Sequence, residues 1–219
     1  MYSLGGSDSD SPLLFVSHFA VDADGAPRAY HPDDTGLDAL DNAGGPGHWQ
    51  ALVTDDDGTP VIQRDGDPAP GYFVSTTALE DFSVTNVRDP DRYVDSTRVP
   101  YIALPPQVLK HARLGDIAMV INLNNGRSSG AIIADVGPRS RIGEGSIALA
   151  RELGIDPDAR HGGADGNIMY IVFPGSGDGT PADSDDIQKS AEQAFKELGG
   201  KDRVLSCPSN GASHTAALP

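Results

Sequence analysis

Asp135 and Glu144 stand nine residues apart in AIIADVGPRSRIGEGSIALARELGI, residues 131–155. A β-branched run leads into Asp135. Val136-Gly137-Pro138 then turns the chain, and Glu144 sits between Gly143 and Gly145, ahead of a helix start. Glycines on both sides of an acid remove neighbouring side chains and let backbone or ligand come close. Two carboxyl groups facing each other across a groove are what glycosidic cleavage needs. One, protonated, donates to the leaving oxygen; the other, ionised, acts as base or nucleophile. Their pKa values must be split by unlike surroundings. A strand-end Asp135 among apolar neighbours is raised by desolvation and suits the acid. A Glu144 at a helix entrance is kept ionised by the helix dipole and suits the base. Spacing alone leaves a purely structural reading open, with Asp135 capping a turn and Glu144 capping a helix.

Other chemistries find no support. There is no G-x-S-x-G elbow, no H-E-x-x-H, no Walker loop and no dinucleotide fingerprint. The six histidines (18, 31, 48, 111, 161, 214) are scattered without ligand spacing, so no metal site is expected. Asp22-Ala23-Asp24-Gly25 has the flavour of a calcium loop but lacks its third acid and closing Glu, and reads as a turn. No cofactor is called for.

The elements that must position the two acids are mostly strands. Asp116–Leu123 and Ser129–Asp135 are apolar and β-branched around Asn124-Asn125-Gly126, a hairpin signal. Val99–Leu104 is a strand stopped by Pro105-Pro106, and Ile168–Phe173 one ended by Pro174-Gly175. Trp49–Thr54 and Pro60–Gln63 flank Asp55-Asp56-Asp57-Gly58 as a second hairpin, and Tyr72–Thr77 alternates as a strand. Ser146–Leu153 is a short helix with an apolar stripe, stopped by Gly154. Ser184 with two following Asp opens a last helix, Asp185–Leu198. Residues 24–47 and Asp81–Ser96 read as loop, with at most a short helix around Leu37–Asn42. The expected organisation is a flexible segment 1–12, a single catalytic domain 13–200 and a flexible tail 201–219.

Composition agrees. The 219 residues carry 26 Gly and 17 Pro and only 38% hydrophobic residues, which suits a turn-rich, mostly β protein with a few short helices. Cys207 is the single cysteine, so no intrachain disulfide forms. Net charge is -16, and all but five of the 32 acids are Asp. Such a field repels phosphate backbones and anionic membranes and favours a cationic partner. No apolar run reaches membrane-spanning length, and Met1 to Asp10 lacks a signal-peptide pattern.

The D-x-G-P strand end, the following acid and serine, and the Ala/Leu helix ending in Leu153-Gly154 resemble the double-psi β-barrel signature. More specifically, the chain resembles the chitosanases of glycoside hydrolase family 75. The matching pieces are VDADGAPRAYHPDD (21–34), GLDALDNAGGPGHWQALVTD (36–55), DPAPGYFVSTTAL (67–79), VPYIALP (99–105), LGDIAMVIN (114–122), ADVGP with IGEGSIALA (134–150) and MYIVFPGSG (169–177). The resemblance covers roughly 15–177 and leaves 178–219 outside. It implies a six-stranded double-psi β-barrel-like core with long loops. It further implies endo-hydrolysis of β-1,4 bonds between glucosamine units of chitosan, with inversion, by an essential Asp and Glu that map onto Asp135 and Glu144. Extracellular action on a polymer, as a monomer, is the accompanying expectation. Two rival readings are a non-catalytic carbohydrate-binding or expansin-like module, and lytic cleavage of peptidoglycan.

A glucosamine polymer needs acids to pair its ammonium groups and aromatics to stack on its rings. Asp116 and Asp95 are the expected secondary acids, and Asn122 the group to orient a water or sugar. Trp49 and Tyr170 are aromatic candidates, with core packing the competing role for Trp49.

Overall fold

The computed structural model describes residues 2–3 and 11–205. Nine strands run in order: β1 (Tyr2–Ser3), β2 (Leu13–Asp22), β3 (Gly44–Gly45), β4 (His48–Trp49), β5 (Tyr101–Ala103), β6 (Ile117–Asn122), β7 (Ser128–Asp135), β8 (Glu144–Ser146) and β9 (Ala164–Phe173). Three helices join them: α1 (Ile147–Glu152), α2 (Ser184–Glu197) and α3 (Gly200–Leu205). Two single turns of 3₁₀-helix, Leu40–Ala43 and Pro90–Arg92, punctuate the loops.

Six strands close on themselves. The order is β2-β8-β5-β7-β6-β9, and β9 pairs back onto β2. Pairs β2/β8 and β5/β7 are parallel, while β5/β8, β6/β7, β6/β9 and β2/β9 are antiparallel. This is the mostly β fold and closed six-stranded barrel expected from the sequence. Closure removes the unpaired edges that an open sheet must protect.

Ile117–Ile121 of β6, Ala131–Ala134 of β7 and Ile168–Phe173 of β9 read as unbroken apolar runs because both faces are covered. Along β7, Ala131 and Ile133 join one cluster with Phe15, Phe19, Val120 and Tyr170. Ile132 and Ala134 point the other way, into a cluster with Met119, Ile171, Phe173, Ile187 and Ala191. Helix α2 covers this second face. A Cβ on Gly130 of β7 would lie 2.8 Å from the Ala191 Cβ, so glycine there lets helix and strand backbones touch. Gly130 N–H is also fastened by Gln188 Oε1 at 2.7 Å.

The β6/β7 hairpin, β5, β9, α1 and α2 all fall where the sequence places them, within a few residues. Two expectations differ. Trp49–Thr54, Pro60–Gln63 and Tyr72–Thr77 meet only through isolated bridges such as Thr54↔Pro60, Ile62↔Phe73 and Leu52↔Ser75. The Asp55–Thr59 turn forms, and Val61 N–H donates to the Val53 carbonyl at 2.9 Å, but the pairing does not lengthen into a ladder. The sequence reading also assigns no element to residues 13–22, yet β2 is one of the longest strands and closes the barrel. Its signal is diluted by the polar Ser17-His18 pair, where the β2/β9 register shifts. At the ends, β1 pairs with β2 through Tyr2 and Ser3, and α3 continues the chain to Leu205 with Val204 buried. The rest of the expected flexible ends, residues 1, 4–10 and 206–219, lies outside the described residues.

Candidate active site

Strand β5 lies between β7 and β8, and its last residue, Ala103, is in register with both acids. Ala103 pairs with Asp135 on one side and with Glu144 on the other. Neighbouring strands stand about 4.8 Å apart, so the two acidic Cα atoms are separated by roughly 10 Å across one small side chain. Nine residues of sequence separation thus become a facing pair through the barrel, not through the loop.

Each acid is fastened differently. Asp135 Oδ1 accepts the N–H groups of Ala78 at 3.0 Å and Val136 at 2.7 Å. The 76–80 segment is laid alongside by Leu79 N–H, which donates to the Ala134 carbonyl at 2.8 Å. Gly137 N–H donates to the Leu104 carbonyl at 3.1 Å, tying the turn to the end of β5. Glu144 leans across that turn. A Cβ on Gly137 would sit 2.9 Å from Glu144 Oε2, so the glycine makes the space the carboxylate occupies.

Asp22 and Asp24 join them, and sequence reasoning missed both. Asp22 ends β2 and is buried. Its Oδ1 accepts Asp24 N–H at 2.8 Å. Asp24 Oδ1 accepts the Tyr30 hydroxyl at 2.6 Å, and the Tyr101 hydroxyl donates to the Asp24 carbonyl at 3.0 Å. Carboxylate oxygens of Asp22, Asp24 and Asp135 converge to within 4.8 Å of one another. The one available signal was the Asp-x-Asp spacing, read as a calcium-like turn. It does turn the chain, but it does so at the mouth of the site, because β2 runs parallel to β8.

Crowding of buried like charges sets the protonation. Burial, then the Asp22 and Glu144 charges, push Asp135 well above the usual carboxylate range, outweighing its two N–H donors. Burial and the Asp22 charge raise Glu144 to about 7, opposed by Arg141. Burial raises Asp22 to about 6, and burial with the Asp22 and Asp135 charges raises Asp24 well above the usual carboxylate range. The expectation for Asp135 agrees in direction. That for Glu144 does not: Ser146, not Glu144, caps α1 through a bond to Leu149 N–H, and burial wins over any dipole from a six-residue helix.

The four acids open into a cleft of about 1100 Å³. Its lining holds seven carboxyl groups, Asp22, Asp24, Asp38, Asp41, Glu80, Asp135 and Glu144, against two guanidinium groups, Arg139 and Arg141. Asp38, also unforeseen, is buried with Oδ1 accepting from Ala39 N–H and Asn42 Nδ2.

The expected secondary residues are not among those lining this cleft. Asp116 is fully buried and accepts the N–H groups of Arg113, Gly175 and Gly177, so it holds the loop after β9. Asp95 closes a turn on Thr97 N–H and Oγ1. Asn122 is buried, donating to the Leu153 carbonyl and accepting from Asn124 N–H. Trp49 packs on the core, 6.4 Å from the Phe73 ring centroid. Tyr170 is buried and stacked on Phe15 at 4.8 Å, its hydroxyl donating to the His18 carbonyl. Apart from Trp49, which packs, the polar group in each case is consumed in stabilising a loop or strand end, which a strand-end position alone does not reveal.

A closed β-barrel with facing, unequally held carboxyl groups in an acidic cleft is an arrangement that suits two-carboxylate glycosidic cleavage. The comparison with known families is specific: the model for the fungal chitosanases of glycosyl hydrolase group 75 matches residues 73–202, more than half the chain. The protein belongs to this glycoside hydrolase family. The match contains Asp135 and Glu144 and runs through α2, beyond the limit at residue 177 expected from motifs, whereas Asp22 and Asp24 precede it. No curated protein matches the chain.

Proposed function

We propose that the protein is an endo-acting chitosanase that hydrolyses β-1,4 bonds between glucosamine units with inversion at the anomeric carbon. Family membership supports chitosan hydrolysis in general. The observation that carries the finer reading is the pairing of Asp135 and Glu144 on opposite sides of Ala103, in a cleft with seven carboxyl groups and two guanidinium groups. Cα atoms roughly 10 Å apart are compatible with the carboxyl separation of about 6.5–9.5 Å that an inverting pair needs to seat a water beside the sugar.

Asp135, whose proton burial and the Asp22 charge hold well above the usual carboxylate range, donates to the leaving glycosidic oxygen. Glu144, raised only to about 7 because Arg141 opposes the shift, takes a proton, once ionised, from the water attacking the opposite face. The Asp22 charge helps keep Asp135 protonated, and with Asp38 and Asp41 it attracts the ammonium groups of the polymer. The cleft's volume of about 1100 Å³ and acidic lining suit internal attack on a long chain. We take residues 13–200 as the catalytic domain, acting as a monomer on an extracellular polymer, with neither nucleic acid nor membrane as partner. No described helix is long and apolar enough to cross a membrane.

The test is to incubate the protein with chitosan, chitin and carboxymethylcellulose, following product size and anomer by NMR. The expected result is rapid loss of chitosan chain length with first-formed α-anomer and little action on the other two. First-formed β-anomer overturns inversion, anhydro ends point to lytic cleavage, and no new ends overturn catalysis.

A further inference from the structure

Phe82 is the most exposed large apolar side chain among the described residues, 70% exposed. It is nevertheless held in place. The Arg92 guanidinium lies 5.1 Å from its ring centroid. Arg92 is itself buried, donating through Nε to Glu80 Oε2 at 2.5 Å and through Nη1 to the Val84 carbonyl at 2.5 Å. The turn carrying Phe82 is closed by Asp81 N–H to the Arg92 carbonyl at 2.8 Å and Val84 N–H to the Asp81 carbonyl at 3.1 Å. A buried, doubly anchored guanidinium beneath one face of the ring sets its plane, and the high exposure leaves its surface to solvent. Glu80, the same anchor, lines the acidic cleft.

We propose that Phe82 is a sugar-stacking platform at an outer subsite of the cleft, taking the apolar face of a glucosaminyl ring of the bound chain. This rests on the function proposed above. An aromatic face fixed in orientation is what a pyranose ring stacks on, and it costs little conformational entropy to use. The occupant follows from charge: Asp81 adjoins the ring, the cleft that Glu80 lines holds seven carboxyl groups against two guanidinium groups, and a glucosamine unit brings an ammonium group beside its apolar face.

Initial rates of wild type, Phe82→Ala and Phe82→Tyr are compared on long chitosan and on glucosamine oligomers too short to pass the central subsites. Phe82→Ala is expected to lower kcat/KM on long chitosan roughly tenfold relative to the short oligomers, through KM, and Phe82→Tyr to restore it. Equal losses on long and short substrates, or no loss on the long one, overturn the platform. A wild-type protein that cleaves no chitosan overturns the proposed function instead, so the two failures are distinguishable. Concentration-dependent dimerisation abolished by Phe82→Ala assigns the ring to a second copy of the chain and likewise overturns the proposal.

Discussion

Replacing Gly137 by alanine tests the site through a single methyl group. Gly137 has no left-handed backbone requirement, and the nearest atom to an added Cβ is Glu144 Oε2 at 2.9 Å; the next, on Ala103, are at 3.7 Å. Ordinary contact begins near 3.4 Å, so the carboxylate must move about 0.5 Å or more, the limit within which catalytic groups must be held. The moving atom ends a flexible side chain, so the fold absorbs the change. Stability should stay within about 1 kcal/mol, helped by the lower chain entropy of unfolded alanine. Catalysis should not absorb it: a displaced base costs on the order of 10- to 100-fold in kcat, with KM little altered. The assay is reducing-end release from chitosan at saturating substrate, with thermal melting beside it. In a Glu144→Asp background, whose carboxylate is one methylene shorter, the same methyl should cost less, a coupling visible in a double-mutant cycle. Wild-type kcat in Gly137→Ala, strict additivity with Glu144→Asp, or a collapse of the melting temperature would each refute the reasoning.

Asp135→Asn and Glu144→Gln should each abolish reducing-end release while the barrel survives; near-normal turnover in both sinks the mechanism. Because the folded-state pKa of Glu144 is raised from 4.5 to about 7, its contribution to stability is intact below pH 4.5 and lost as pH rises through 7. Glu144→Gln should therefore melt higher than wild type at pH 8, by up to about 3 kcal/mol, and no higher at pH 4; an equal gain at both pH values contradicts this. The profile of kcat/KM against pH should rise as Glu144 ionises near 7 and fall where Asp135 loses its proton. Asp22→Asn, by removing a negative charge that raises both groups, should move both limbs to lower pH, and an unmoved profile argues against charge crowding. Affinity of Glu144→Gln for chitosan should weaken between 0.02 and 0.5 M salt, since exposed charges are screened beyond about 10 Å at 0.1 M. Salt-independent binding would return the net charge of -16 to a solubility role.

Much of this was written in local sequence. Alternation and turn chemistry place the β6/β7 hairpin, Gly154 stops α1, and the acid-rich turn before Ile187 starts α2, because those signals act over a few residues. Asp135 and Glu144 stood out for the same reason, each framed by residues that punctuate the backbone. What sequence did not decide is which other polar residues face the site. Asp116, Asp95 and Asn122 look like Asp22 and Asp24 in any window, since all are short polar groups near strand ends or turns. Closure of the barrel separates them: β2 runs parallel to β8 and carries Asp22 and Asp24 to the cleft, while loops elsewhere consume the other three in backbone hydrogen bonds. The proton affinities were decided at the same level. A helix-entrance Glu alone should be acidic; one buried beside Asp22 holds its proton to about 7, because desolvation and like charge are properties of the packed molecule and not of the chain.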